Sequence, residues 1–269
     1  MNRLDETLKR IGTPLLGVAV HRFDLVFVEM ASLLGFHALW IEMEHLPITF
    51  REAADLCRLA SALGMVTMIR IPDASRDHVL KAAECGPDII DLPMGNTPEM
   101  LAQLVTHARY APEGNRGFFG ASRAVRYGLD GEIVEAQRRV NRGLCLMSQI
   151  ETREAVERAE ELCRVPGIDA IFLGPGDLST SLGVTGEVRH PCVLAALDQS
   201  IAIAKAHGKR IAIMCAAADV GEWSRKGVDL LFCGSDTACL KAGAQGVLKD
   251  ARQSVAASAN PSNLNPTNP

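Results

Sequence analysis

The sequence predicts one closed parallel (β/α)8 TIM barrel of the α/β class, and three observations carry that prediction. Short apolar runs recur eight times, stretches of helical character follow them, and the length of 269 residues suits a fold that typically needs about 250. The runs are apolar nearly throughout instead of alternating with polar residues, as strands of a parallel sheet covered on both faces must be. Leu15 to Val20 opens the series and ends at His21. Ala38 to Glu42 leads into Met43-Glu44-His45, and Met65 to Arg70 closes on an arginine. Asp88 to Leu92 precedes Pro93-Met94 and the helix-compatible stretch Pro98 to Arg109. Leu144 to Ile150 carries Gln149, meets Glu151 and is followed by a helical stretch from Arg153 to Cys163. Ala170 to Gly174 meets Pro175-Gly176-Asp177, and the runs Arg210 to Met214 and Asp229 to Cys233 complete the count. No G-x-G-x-x-G follows the first run, so a doubly wound dinucleotide-binding sheet fits less well.

One domain is expected over residues 1–255, with the Pro-, Asn- and Ser-rich residues 256–269 as a disordered tail. Between Tyr110 and Asp130 the chain is Gly- and Arg-rich and too long for an ordinary barrel connection, which marks a functional or disordered loop. Net charge is −4 and no basic stripe interleaved with aromatics occurs, so nucleic acid is not expected as a partner. The N-terminus lacks the apolar core of a signal peptide and no run is long enough to span a membrane. The eight cysteines contain no C-x-x-C pair and several sit in apolar runs, as small buried hydrophobes of a reducing, cytoplasmic compartment would.

In a parallel barrel the C-terminal ends of the strands converge on one mouth, and the polar residues of this chain gather there. Glu151 and Asp177 end adjacent strands, where two like charges call for a cation. Carboxylate oxygens without His or Cys neighbours suit a hard ion such as Mg2+ or Mn2+, with Co2+ as a further candidate. The competing reading makes each carboxylate the N-cap of the helix that follows. Arg70, at the inner end of an apolar strand, needs an anion, either a substrate carboxylate or enolate oxygen, or a structural partner in Glu42 or Glu44. His45 lies between these acidic residues and a strand-end loop, the setting of a general base; His21 is a second candidate. Gly174-Pro175-Gly176-Asp177 places backbone N–H groups before a helix, where an anion can be held, although such a sequence is also an ordinary turn.

Glu44-His45, Val66-Thr67-Met68-Ile69-Arg70, Pro93-Met94, Arg109-Tyr110-Ala111-Pro112 with Gly114-Asn115-Arg116-Gly117, Gln149-Ile150-Glu151-Thr152 and Leu173-Gly174-Pro175-Gly176-Asp177-Leu178-Ser179 follow one another in order. In these motifs, across roughly residues 5 to 250, the chain resembles the class II pyruvate aldolases related to 2,4-dihydroxyhept-2-ene-1,7-dioate aldolase and 2-dehydro-3-deoxyglucarate aldolase. The resemblance implies a divalent-metal-dependent carbon–carbon lyase. It would cleave 4-hydroxy-2-oxo acids reversibly to pyruvate or hydroxypyruvate and an aldehyde through a metal-bound enolate. It further implies a homohexamer with the C-terminal helix exchanged between subunits, and metal held by Glu151 and Asp177. Arg70 would bind the keto oxygen, Gln149 and the backbone at Gly176 and Asp177 the pyruvate part, and His45 would belong to the base.

Glu42-Met43 departs from the Asp-Gly common in that family, which puts in question both the pairing of Glu42 with His45 and the space beside it. Met214, Ser235 and the loop from Arg116 to Arg126 are the expected specificity positions, the arginines as partners of an acidic aldehyde or as solvated side chains. Two other readings use the same residues: a citrate-lyase-like enzyme acting on a coenzyme A thioester, and a barrel that binds a keto acid without turnover.

Overall fold

The computed structural model describes residues 2–12, 14–129 and 131–258. Its strands are β1 (Leu15–Val20), β2 (Ala38–Glu42), β3 (Val66–Arg70), β4 (Ile89–Leu92), β5 (Cys145–Ile150), β6 (Ala170–Leu173), β7 (Arg210–Met214) and β8 (Leu230–Ser235). They pair in parallel in chain order, and β8 closes on β1. The helices are α1 (Arg3–Ile11), α2 (Leu25–Leu33), α3 (Phe50–Ala62), α4 (Arg76–Glu84), α5 (Pro98–Ala108), α6 (Ile133–Gly143), α7 (Arg153–Glu157), α8 (Ala159–Arg164), α9 (Pro175–Ser181), α10 (Pro191–Ala206), α11 (Val220–Arg225) and α12 (Asp236–Ser258). Every apolar run expected to be a strand is one. The end that differs most is that of β8, which continues to Ser235 because a register shift opposite Gly17 and Ala19 lets Ser235 pair with Ala19.

Alternate residues of each strand divide between two cores. Leu39, Ile41, Ile69 and Ile90 face outward under the helices, while Ala38, Trp40, Met68, Met147, Phe172 and Phe232 fill the barrel axis. Trp40 meets Phe172 and Phe232 edge-on, with ring centroids 5.1 and 5.3 Å away. Gly17 makes room for this cluster: a Cβ there would stand 2.5 Å from the Phe232 ring. Gly17→Ala should therefore cost about 1–3 kcal/mol by overpacking, read as a lower unfolding midpoint in urea.

The two ends of the barrel are built differently. At the N-terminal end α1 acts as a plug, since the Asn2 side chain caps it by accepting the Asp5 N–H at 2.8 Å and Leu4 and Leu8 enter the axial core. At the same end Asp88, Asp169 and Asp229 stand at or just before β4, β6 and β8. Their carboxylates accept the N–H groups of Thr67, Leu146 and Ile211 on the preceding strands at 2.8, 2.9 and 2.9 Å. No helix among the described residues is long and apolar enough to cross a membrane. Of α12 only Asp236 is buried; the rest of the helix is exposed, Val247 and Val255 included. The helix runs to Ser258, inside the segment expected as a tail, whose remaining residues 259–269 lie outside those described.

Candidate active site

The C-terminal end of the barrel gathers the charged residues that the strand-end pattern picked out. Arg70, at the end of β3, is buried. It gives its Nε to Glu42 Oε2 at 2.6 Å, places Nη1 3.0 Å from Glu44 Oε2, and reaches Gln149 Oε1 at 3.5 Å. Its guanidinium also lies over the Trp40 ring, 4.9 Å from the centroid. The structural ion pair considered from sequence is therefore formed, and it leaves the arginine at the rim of the axial core, facing the mouth.

Glu42 does not pair with the His45 imidazole. One of its oxygens takes Arg70, and the other accepts the backbone N–H groups of Glu44 and His45 at 2.8 and 2.9 Å. The longer glutamate side chain turns inward to the guanidinium and pins the loop that follows β2. The imidazole is largely exposed, and its carboxylate neighbour is Glu44, 3.5 Å from Nε2. Burial pushes the Glu44 carboxyl up, against the pull of Arg70 and His45. Met43 does not crowd the mouth, because its side chain joins the outward-facing core.

Glu151 follows β5 and is almost fully buried. Its Oε1 accepts the Met94 N–H at 2.6 Å, and Met94 directs that N–H from a left-handed backbone, φ 51°. Burial pushes the Glu151 carboxyl up to about 7; the Met94 N–H opposes the rise, and the nearby charge of Asp177 adds to it. Gly174 packs directly on this side chain, since a Cβ there would lie 2.7 Å from Glu151 Cβ and 2.8 Å from Oε2.

The capping alternative fails for both carboxylates. Thr152 caps α7 by accepting the Ala155 N–H at 3.0 Å. Gly174 is the N-cap of α9, and Asp177 sits exposed in its first turn, without a side-chain cap bond. The first-turn N–H groups of Gly176 and Asp177 have no acceptor within their own helix. Gln149 hangs from β5 beneath these residues and donates its amide to Asp91. Met214 ends β7 half-buried on the axial core, and His21 is held at the β1 end by Thr237 Oγ1 at 2.8 Å.

Among the described residues no three His, Cys, Asp or Glu side chains form a ready metal cage. Glu151 and Asp177 suit a more open arrangement: two hard oxygen donors near each other, one of them desolvated. Both features fit a divalent cation. Asp91, a fully buried carboxylate inside β4, escaped the sequence reading although an aspartate within the run Ile89-Ile90-Asp91-Leu92 was visible there.

The loop from Arg116 to Arg126 lies at the far end of the barrel and cannot line the mouth of its own protomer. It joins α5 to α6, the helices that lead from β4 back to the N-terminal end of β5. There Arg116 pairs with Glu84 at 2.9 Å, and Arg123 donates to Cys57 O at 3.3 Å. Both line a cavity of about 570 Å³ with Arg3 and Asp88.

A family profile described as HpcH/HpaI aldolase/citrate lyase matches residues 20–243. The chain is similar to a 2-dehydro-3,6-dideoxy-6-sulfogluconate aldolase of Pseudomonas putida, 34% identical over 245 residues that cover 90% of this chain and 93% of the relative. It is also similar to a hydroxypyruvate/pyruvate aldolase of Chromohalobacter salexigens, 32% identical over 215 residues covering 79% and 84%. In three dimensions it resembles an HpcH/HpaI aldolase from Desulfitobacterium hafniense DCB-2, with a TM-score of 0.86, 26% identity and 98% of each chain covered.

Proposed function

The chain belongs to the HpcH/HpaI aldolase/citrate lyase family and is an aldolase, and on that premise we propose that it reversibly cleaves 4-hydroxy-2-oxo acids to an aldehyde and pyruvate or hydroxypyruvate, using a divalent cation held by Glu151 and Asp177. The observation that carries this reading is a buried Arg70 on the same rim as a desolvated Glu151 whose neighbour Asp177 is also acidic. Mg2+ or Mn2+ would supply Lewis-acid polarisation of the keto acid. Arg70 steadies the oxygen on which negative charge grows as the enolate forms, where a fixed guanidinium stabilises the transition state more than the ground state. Gln149 and the N–H groups of Gly176 and Asp177 hold the keto acid's carboxylate, and Met214 borders the aldehyde side.

In the cleavage direction His45 takes the proton from the C4 hydroxyl, the C3–C4 bond breaks to release the aldehyde, and the bonding pair passes to the keto oxygen. Return of a proton to C3 completes pyruvate. Glu44, 3.5 Å from Nε2, orients the imidazole for these transfers. The test is exchange of pyruvate methyl protons in heavy water, followed by a panel of aldehydes with pyruvate and hydroxypyruvate. Cation-dependent exchange is the expected result; binding of pyruvate and cation without exchange would sink the catalytic reading. Turnover of a coenzyme A thioester would move the assignment to the citrate-lyase branch.

Cation affinity should follow Glu151. Its folded pKa is raised, so below about 7 a proton competes for the carboxylate, and affinity should fall about tenfold per pH unit on the acid side while levelling off above. Calorimetric titration with Mn2+ between about pH 5.5 and 8 measures this, and a flat profile would remove Glu151 from the ligand set.

The working form is proposed to be a homohexamer with α12 exchanged between paired subunits. A helix exposed along its length, Leu240, Val247, Leu248 and Val255 among its side chains, needs a partner surface. Light scattering should give a mass near six copies of 28.9 kDa. The free thiols of all eight cysteines suit a reducing, cytoplasmic setting.

A further inference from the structure

We propose that Asp91 is a positioning residue that fixes the Gln149 amide so that its nitrogen is presented to the keto acid's carboxylate and its oxygen to Arg70, an inference that rests on the aldol reading above. Gln149 is a pseudo-symmetric side chain whose two ends are alike in shape and opposite in hydrogen-bonding character. Arg70 Nη1 lies 3.5 Å from Oε1, a contact too long to hold the orientation alone. The stronger constraint comes from the other side, where Nε2 donates to Asp91 Oδ2. A flipped amide would set its N–H groups against the guanidinium, donors against donors, and would give up the Nε2 bond to Asp91. In the observed orientation one N–H goes to Asp91 and the second is left as a donor.

The Asp91 side chain has one hydrogen-bond partner, Gln149, and the charge of Arg70 on the neighbouring strand acts on it as well. It sits inside β4 in register with Arg70, between the inward-facing Ile89 and the mouth, and no part of it is exposed. Its Oδ1 is buried without a hydrogen-bond partner, the condition that makes a buried polar side chain costly. Burial pushes its carboxyl far above the usual range, against the Gln149 bond that lowers it. Leucine at this point of the axial core would serve stability better, so the carboxyl is explained by what it does to Gln149.

The experiment compares full-length Asp91→Leu and Asp91→Asn with the unmutated enzyme, each loaded with Mn2+, by the KM and kcat of pyruvate methyl exchange and by thermal melting. Asparagine keeps an acceptor oxygen for Gln149 Nε2 and should hold KM within about threefold. Leucine removes the acceptor and should raise KM about tenfold or more with a smaller change in kcat, while the melting temperature stays level or rises. An unchanged KM in Asp91→Leu would overturn the assignment. So would a KM rise accompanied by a lower melting temperature and shared equally by Asp91→Asn, because that pattern marks a purely structural residue. Absence of exchange in the unmutated, metal-loaded enzyme would overturn the aldol reading itself.

Discussion

Glu151→Gln should lower cation-dependent exchange of pyruvate methyl protons by about a thousandfold or more while making the metal-free protein more stable at neutral and alkaline pH. The activity loss follows from replacing a charged oxygen donor by a neutral amide at a two-ligand site, where several kcal/mol of charge stabilisation are at stake. The stability gain has the opposite sign for a definite reason. The carboxyl rises from its usual 4.5 to about 7 on folding, so the folded state binds the proton more tightly than the unfolded chain. Stability is then lost as pH climbs from about 4.5 to about 7, and the loss amounts to about 3 kcal/mol above that span. Glutamine escapes it and still accepts the Met94 N–H. Denaturation with urea at about pH 4 and pH 8, both without metal, should show the variant gaining only at the higher value. A variant that retains cation-dependent exchange would exclude Glu151 as a ligand.

Arg70→Met carries the second large expectation, a fall of about 10²- to 10³-fold in exchange together with a loss of about 3–5 kcal/mol in stability. The two effects have separate causes. Stability drops because Glu42, buried at the end of β2, loses the guanidinium that partners it 2.6 Å away. Activity drops because the enolate oxygen loses its cationic partner. The double variant Arg70→Met/Glu42→Gln separates them: neutralising Glu42 should restore most of the stability, with the two N–H bonds from Glu44 and His45 still accepted by a side-chain oxygen, and should restore none of the activity. If activity returned with stability, Arg70 would be a structural ion pair and no more.

The sequence was informative wherever an element's character is written in its own residues. Continuous apolar runs located all eight strands, and a carboxylate directly after one run and another set off from the next run by Pro175-Gly176 located Glu151 and Asp177 at the mouth. What escaped depends on which side chains meet across strands. That Glu42 would turn to Arg70 instead of His45 follows from one extra methylene and a guanidinium on the neighbouring strand, a choice between two partners that spacing does not decide. The Met94 N–H reaches Glu151 only because Met94 adopts a left-handed backbone that nothing in Pro93-Met94-Gly95 announces for the methionine. The arginines near Arg116 were misplaced for a different reason. Their loop was weighed by composition, when its position after a helix already assigned it to the opposite end of the barrel.

Asp88, Asp169 and Asp229 clasp neighbouring strands at the end remote from the carboxylates and Arg70. These three clasps and the residues proposed to react thereby lie on separate rims. The loop following β7, which holds neither the proposed base nor a proposed cation ligand, can be exchanged for another without touching a clasp, so the aldehyde side is open to redesign on a barrel fastened elsewhere.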